Sequence, residues 1–253
     1  MLPRFAVHKT LAAAALVLSG LAVHAEGQAP HWAYTGHHGS PAHWAELDPA
    51  FETCAKGTKQ SPVDIGKTVK TALPKLEFAY GSVAPVIVNN GHTVQVNLPA
   101  GQSLKIGDQS YELLQFHFHT PSEETIAGKH AAMVAHFVHR NAAGELGVVG
   151  VLLEQGKRNP AFEGIFSHLP RPGKKITVDG LTLDLAALLP ADKGYYAYEG
   201  SLTTPPCSQG VSWMVLKTPV KLGAEQIKAF RRLFSANARP IQPLNGRIIQ
   251  ESL

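Results

Sequence analysis

The sequence predicts a mainly β fold with a few short peripheral helices, and three observations carry that reading. Between residues 76 and 153, short apolar runs alternate with turn residues. The turn signals Asn90-Gly91 and Gly107-Asp108 fall between those runs, where a reversing chain needs residues that tolerate unusual backbone angles. Only residues 160–169 and 224–234 read as helix; in the second, Ile227, Phe230, Leu233 and Phe234 recur at helical spacing. At 253 residues, 44% hydrophobic and 17% charged, the chain is long enough for one sizeable core or two small ones, and no repeat or long charge run divides it.

The first element stands apart. Arg4 and Lys9 precede an apolar stretch at 10–23, and Val23-His24-Ala25 ends it with a small residue at the cut site. This is the pattern of a secretory signal peptide, and cleavage is predicted after Ala25. The stretch is too short and too lightly flanked for a permanent membrane span, and no cysteine is placed to carry a lipid. The expected location is therefore periplasmic or secreted. Cleavage removes two bases and no acid, leaving 21 basic against 19 acidic residues, about +2. That charge is too weak, and too evenly spread, for a nucleic-acid partner. Cys54 and Cys207 are the only cysteines, and an oxidising compartment favours a bridge between them. Closing so long a loop is worth on the order of 4–5 kcal/mol in the chain-entropy picture. A metal role for them is disfavoured because neither belongs to a Cys-x-x-Cys pair.

Residues 26–55, rich in Gly, Pro, His and Trp, are expected to be irregular, with His31, His37, His38 and His43 as solvated side chains. Strand candidates follow at 85–88, 92–97, 103–106, 111–119, 132–139 and 147–153, and then at 176–178, 195–198 and 211–216. No Gly-rich nucleotide loop, His-Glu-x-x-His or Gly-x-Ser-x-Gly is present, which weakens several common enzyme classes.

The most informative run is Gln115-Phe116-His117-Phe118-His119. On a strand His117 and His119 face the same way, with Cα atoms about 6–7 Å apart, near enough for both imidazoles to reach one metal ion. A lone histidine in an apolar strand is usually a hydrogen-bonded core residue; two at this spacing, with a third in Val134-Ala135-His136-Phe137-Val138-His139, favour metal. His136 and His139 face opposite sides of a strand, and spacing does not choose between them. Three neutral imidazoles with a fourth position left open describe a catalytic zinc site rather than a structural one.

The run from Gln115 to Glu123 resembles the zinc-binding strand of the alpha-class carbonic anhydrases, in their secreted bacterial branch. Further segments match in family order: His31-Trp32-Ala33-Tyr34, Lys59 to Ile65, Asn89-Asn90-Gly91-His92, His136 to His139, Gly200 to Pro206, and Asn237-Ala238-Arg239-Pro240. The resemblance implies that residues 26–253 form a single domain around a large, twisted, mostly antiparallel sheet of about ten strands. It implies zinc on His117, His119 and His136, and reversible hydration of carbon dioxide to bicarbonate and a proton by zinc-held hydroxide. A zinc-bound water that ionises near pH 7 is already known from carbonic anhydrase itself.

The same resemblance distributes the remaining roles. Thr203 would orient the hydroxide and Glu123 would orient Thr203. Val138, Val148, Leu202 and Trp213 would wall the carbon dioxide pocket, with Thr204 beside bicarbonate. His92 would shuttle the proton, since an imidazole titrates in the useful range. Tyr34, Asn90 and Gln95 would hold the water chain, and Gln115 would support a ligand ring. The Cys54–Cys207 bridge matches one in secreted members and would pin the loop around Thr203. The expected partner is a small molecule, and the assembly a monomer or homodimer.

Two positions depart from the family pattern. Val134 stands where a glutamate normally steadies the third ligand, and Glu124 stands where a histidine is usual. The expectation is that the carboxylate has moved across, so that Glu124 reaches the ring of His136. Without such a partner, metal affinity would fall about 10–100-fold. The alternatives are a non-catalytic or weakly active zinc-binding protein on the same fold, or a zinc hydrolase such as an esterase.

Overall fold

The computed structural model describes residues 31–253, so the signal peptide expected at 1–25 lies outside the described residues. Ten strands follow one another across the main sheet. In chain order they are β1 (Thr68–Thr71), β2 (Val86–Asn89), β3 (Val94–Asn97), β4 (Gln109–His119), β5 (Met133–Asn141), β6 (Leu146–Gly156), β7 (Lys175–Thr177), β8 (Tyr195–Ser201), β9 (Gln209–Leu216) and β10 (Ile249–Ser252). Their spatial order is β7-β2-β3-β4-β5-β6-β9-β8-β10-β1, and three further strands off this path bring the sheet to 13. Most neighbours are antiparallel; β6 with β9 and β10 with β1 are parallel. The mainly β class and the approximate strand number are as the sequence implied. β1 and β10 were not anticipated: short pieces carrying exposed polar residues give little periodic signal.

Period-2 alternation decides which face each side chain serves. Along β4, Phe116 and Phe118 point to one face, and along β5, Ala135 and Phe137 join them, with Val149, Val151 and Leu153 of β6. All are buried in the larger core, where truncating one Phe to Ala costs about 3–5 kcal/mol. On the opposite face, Val134, Val148, Leu152 and Trp213 form a smaller apolar cluster. His117, His119 and His136 lie in that second set of positions. The apolar residues between the histidines therefore anchor the strands and leave the histidines facing away from the larger core.

Helices are few and peripheral. α1 (Ala224–Arg231) starts where predicted: Gln226 turns its side chain back to accept the Gly223 N–H at 3.0 Å, and Ile227 and Phe230 are buried beneath it. It stops short of Phe234, continuing only as turns. Residues 160–169 form a 3-10 turn, Pro160–Phe162, and one helical turn, Glu163–Phe166. The expectation of an irregular 26–55 segment needs correction for its described part. Pro41–His43, Trp44–Leu47, Pro49–Phe51 and Thr53–Lys56 are successive single turns of helix. Prolines open two of them, Asp48 accepts the Ala50 N–H, and Trp44 is fully buried with its indole N–H shared by the carbonyls of Ala33 and Gly39. No described helix is long and apolar enough to cross a membrane.

Candidate metal centre

Strand register brings the histidines together. His117 in β4 pairs with His136 in β5 on one side and with Gln95 in β3 on the other, while His119 pairs with Val134. One potential ligand nitrogen from each of His117, His119 and His136 falls within a group spanning no more than 4.8 Å. Among the described residues this is the only such group; His37, His38 and His43 do not form one. His139 is turned to the opposite face, against the Tyr80 hydroxyl and the Gly147 carbonyl.

Each of the three rings is held by its outer nitrogen. His117 Nδ1 lies 2.9 Å from Gln115 Oε1, His119 Nδ1 lies 2.7 Å from the Asn237 carbonyl, and His136 Nε2 lies 3.1 and 3.2 Å from the two oxygens of Glu124. These partners accept, so the outer nitrogens carry the protons and the inner ones present lone pairs. His119 Nε2 and Glu123 Oε2 are buried with no hydrogen-bond partner, 3.5 Å apart. A buried imidazole nitrogen without a partner is costly, and a cation would satisfy it. The donor set, three imidazoles, suits zinc.

Electrostatics hold two of the three rings neutral and set the third apart. Burial pushes His117 down to about 3, helped by a charge on His136, and pushes His119 well below the ordinary histidine value. Burial also depresses His136, but the Glu124 charge and hydrogen bond, with Glu123, outweigh it and raise its pKa. Burial lifts the Glu123 carboxyl to about 7; His136 opposes the rise, Glu124 adds to it, and the Arg239 N–H and the Thr203 hydroxyl oppose it.

His117 and His136 open onto a cavity of about 170 Å³. Val138, Val148, Leu202 and Trp213 line it on one side, and Asn90, Thr93, Gln95, Gln115, Thr203 and Thr204 supply polar groups. The apolar wall follows from register, since Val148 pairs with Val138 across β5–β6 and with Trp213 across β6–β9. Trp213 stands edge-on to His136 at 4.9 Å and donates its indole N–H to the Ser201 carbonyl. Asn90 Oδ1 accepts the His92 and Thr93 N–H groups, and the Gln95 amide donates to Asn97, so both shape the cavity rim.

His92 and Tyr34 lie outside the cavity lining. His92 is half-buried and stacked on Trp32, with burial and then His31 lowering its pKa. Tyr34 stands edge-on to His119 at 6.4 Å; burial and then Glu123 keep its hydroxyl protonated. The Thr203–Thr204 loop is tied by the Cys54–Cys207 disulfide, whose Cα atoms are 5.0 Å apart, and by the Cys207 N–H donating to the Thr204 carbonyl. Just before it, Gly200 has room for no side chain: a Cβ there would meet Ser61 Oγ at 2.1 Å.

Two supporting residues had no role assigned from sequence. Asn237 accepts from His119 through its carbonyl, accepts the Thr120 N–H on its side chain, and donates to the His92 and Phe118 carbonyls. The Arg239 N–H donates to Glu123 Oε1, and its guanidinium reaches Gln60, Ser61 and Cys54. Their signal was present in the matching Asn237-to-Pro240 segment, but contacts across more than 100 residues leave no periodicity to read.

Comparisons with known proteins show which family the whole chain resembles. Residues 39–253 match the model of the family described as eukaryotic-type carbonic anhydrase. A carbonic anhydrase of Pectobacterium atrosepticum is 43% identical over 93% of this chain and 96% of its own length. One from Neisseria gonorrhoeae is 41% identical over 99% of this chain and 100% of its own. Among solved structures, the alpha-carbonic anhydrase of Thermovibrio ammonificans in complex with the inhibitor sulfanilamide superposes with a TM-score of 0.85. It is 42% identical, covering 87% of this chain and 99% of that one.

Proposed function

The chain belongs to the eukaryotic-type carbonic anhydrase family and is an enzyme of reversible carbon dioxide hydration; from that premise we propose that it works with a zinc ion held by His117, His119 and His136. One observation carries the assignment: three ring nitrogens converge, each ring already fixed from behind by an acceptor. Zinc, when bound, supplies the Lewis acidity that makes water a nucleophile near neutral pH.

The protein's own residues do the rest. Neutral His117 and His119 and the Glu124-backed His136 supply the lone pairs. Glu123, fixed by the Arg239 N–H, would accept from the Thr203 hydroxyl and so aim that oxygen toward the reacting centre. Val138, Val148, Leu202 and Trp213 offer carbon dioxide an apolar wall within that cavity. Thr204 meets the product bicarbonate. Tyr34, Asn90 and Gln95 organise water between the cavity and His92, which passes the proton to solvent. Residues 1–25 act as a cleaved leader, 26–253 as the catalytic domain, and the protein works in the periplasm or outside the cell; the disulfide supports that setting.

The test is carbon dioxide hydration by the exported form, with and without a chelator, beside a zinc count. One zinc per chain, loss of activity on chelation and recovery on adding zinc are expected. Full activity in metal-free protein would overturn the reading.

A further inference from the structure

The outer nitrogen of His136 has one partner, and that partner comes from another segment rather than from its own strand. Both carboxylate oxygens of Glu124 lie against Nε2, at 3.1 and 3.2 Å, and the carboxylate makes no other hydrogen bond. Glu124 and His136 are both essentially inaccessible to solvent. The strand bearing His136 supplies nothing comparable. Position 134 shares its face two residues earlier and carries Val134, packed in the apolar cluster with Val148 and Trp213.

The segment carrying Glu124 is held firmly. The Ser122 hydroxyl donates to the Glu124 carbonyl at 2.7 Å and accepts the Ala131 N–H at 2.9 Å. Directly after Glu124, the two-residue strand Thr125–Ile126 pairs in parallel with Asp64–Ile65. Asp64 Oδ1 accepts both the Thr125 hydroxyl, at 2.6 Å, and the Gly128 N–H, at 2.8 Å. Consecutive carboxylates thus serve different tasks: Glu123 faces the inner nitrogens, 3.8 Å from His136 Nδ1, and Glu124 backs the outer one.

We propose that Glu124 is the positioning residue of the third metal ligand, a role that Val134 leaves vacant on the strand, and that Asp64 and Ser122 set its reach from outside the site. The inference rests on the zinc reading above. A negative carboxylate behind an imidazole fixes which nitrogen is protonated, aims the ring and raises its basicity as a ligand; losing such a partner typically costs about 10–100-fold in metal affinity. Because this carboxylate comes from a short segment between Glu123 and the Asp64 pairing, metal retention depends on a hydrogen bond remote from the metal.

The experiment measures zinc affinity by chelator competition and the visible spectrum of the cobalt-loaded protein, not activity alone. Glu124→Gln keeps the volume and removes the charge; zinc binding about 10–100-fold weaker than wild type is expected, with an altered cobalt spectrum at saturating metal. Asp64→Asn should weaken zinc in the same direction by a smaller factor. In Glu124→Gln/Val134→Glu, where the strand supplies the carboxylate, affinity should recover at least tenfold over the single variant. Zinc affinity in Glu124→Gln equal to wild type would overturn the inference. Should that variant fold poorly, the double variant decides: zinc affinity more than tenfold below wild type also overturns it. Wild-type protein that holds no zinc would instead sink the zinc reading itself, so the two failures are separable.

Discussion

The Trp32 indole lies flat on the His92 imidazole, centroids 3.7 Å apart and planes 8° from parallel. His31 is a second aromatic neighbour, its ring tilted and 6.2 Å away. His92 is therefore held at the rim by an aromatic plate, with its neutral form favoured by burial first and by His31 second. A neutral ring accepts a proton, so the lowered pKa extends the working range toward acid. His92→Ala should lower kcat in dilute buffer by on the order of 10²-fold, leave kcat/KM nearly unchanged, and recover with added imidazole. An equal loss in both constants would remove His92 from proton transfer.

The pH midpoint of kcat gives a second reading of that contact. His31→Ala removes one of the two influences that depress His92, so its pKa should move up toward 6.5 and the midpoint should rise with it. A pH profile measured at constant ionic strength checks the sign; a fall or no change would show that His31 does not act on His92.

Acid stability depends on another histidine, outside the catalytic machinery. Burial pushes His139 down to about 4, against 6.5 in the unfolded chain, and the backbone hydrogen bonds at Gly147 and Phe137 oppose that fall only in part. Below pH 6.5 the unfolded chain takes up a proton that the folded one refuses. Stability is thus full above 6.5 and falls as pH drops toward 4. Between pH 7 and 5 this one group accounts for about 2 kcal/mol. Urea unfolding of His139→Gln, less stable at pH 7, should show a pH loss smaller by about that amount. A loss as steep as wild type would assign acid sensitivity elsewhere.

Metal loading should stabilise the fold as well as activate it. The unpartnered His119 Nε2 and its neighbours gain a partner only in the folded state, since the unfolded chain scatters ligands from two strands. At free zinc 100 times the dissociation constant, the gain is about 2.7 kcal/mol. Calorimetry of chelated and zinc-loaded protein should show a higher Tm in the latter, and His119→Ala should abolish most of the difference.

The ligand trio was readable because period-2 geometry ties residue order to face: His117 and His119 share a side, and Phe116 and Phe118 show which side the larger core occupies. The choice of His136 over His139 was not readable from spacing. It follows from the β4–β5 register, which sets His136 opposite His117 on the same face of the sheet, and only the family likeness resolved it in advance. The exchange of Val134 and Glu124 was visible as two departures from a pattern, yet the contact spans 12 residues and a turn, so only the fold shows the carboxylate arriving. Asn237 and Arg239 went unassigned because they reach His119 and Glu123 through a backbone carbonyl and a backbone N–H, while their side-chain contacts lie more than 100 residues away in sequence. The turns at 41–56 were missed for a related reason: four-residue helices contain too few positions to display a period.

The disulfide offers the sharpest separation of stability from chemistry. Cys54 and Cys207 are 153 residues apart, so the bridge restricts most of the unfolded chain, on the order of 4–5 kcal/mol in the loop-entropy picture. The three metal ligands stand on strands inside the sheet, whereas Thr203 and Thr204 stand on the loop that Cys207 ends. Replacing both cysteines by serine should therefore lower the urea midpoint strongly while leaving about one zinc per chain. The kcat/KM, measured well below the new Tm, should fall more than zinc affinity, because the Cys207 N–H to Thr204 carbonyl contact and the Gln60 amide on the Cys207 carbonyl lose their covalent support. A variant less stable but equally fast would show that the loop keeps its shape without the bridge. Loss of zinc in parallel with rate would show that the strands themselves depend on it.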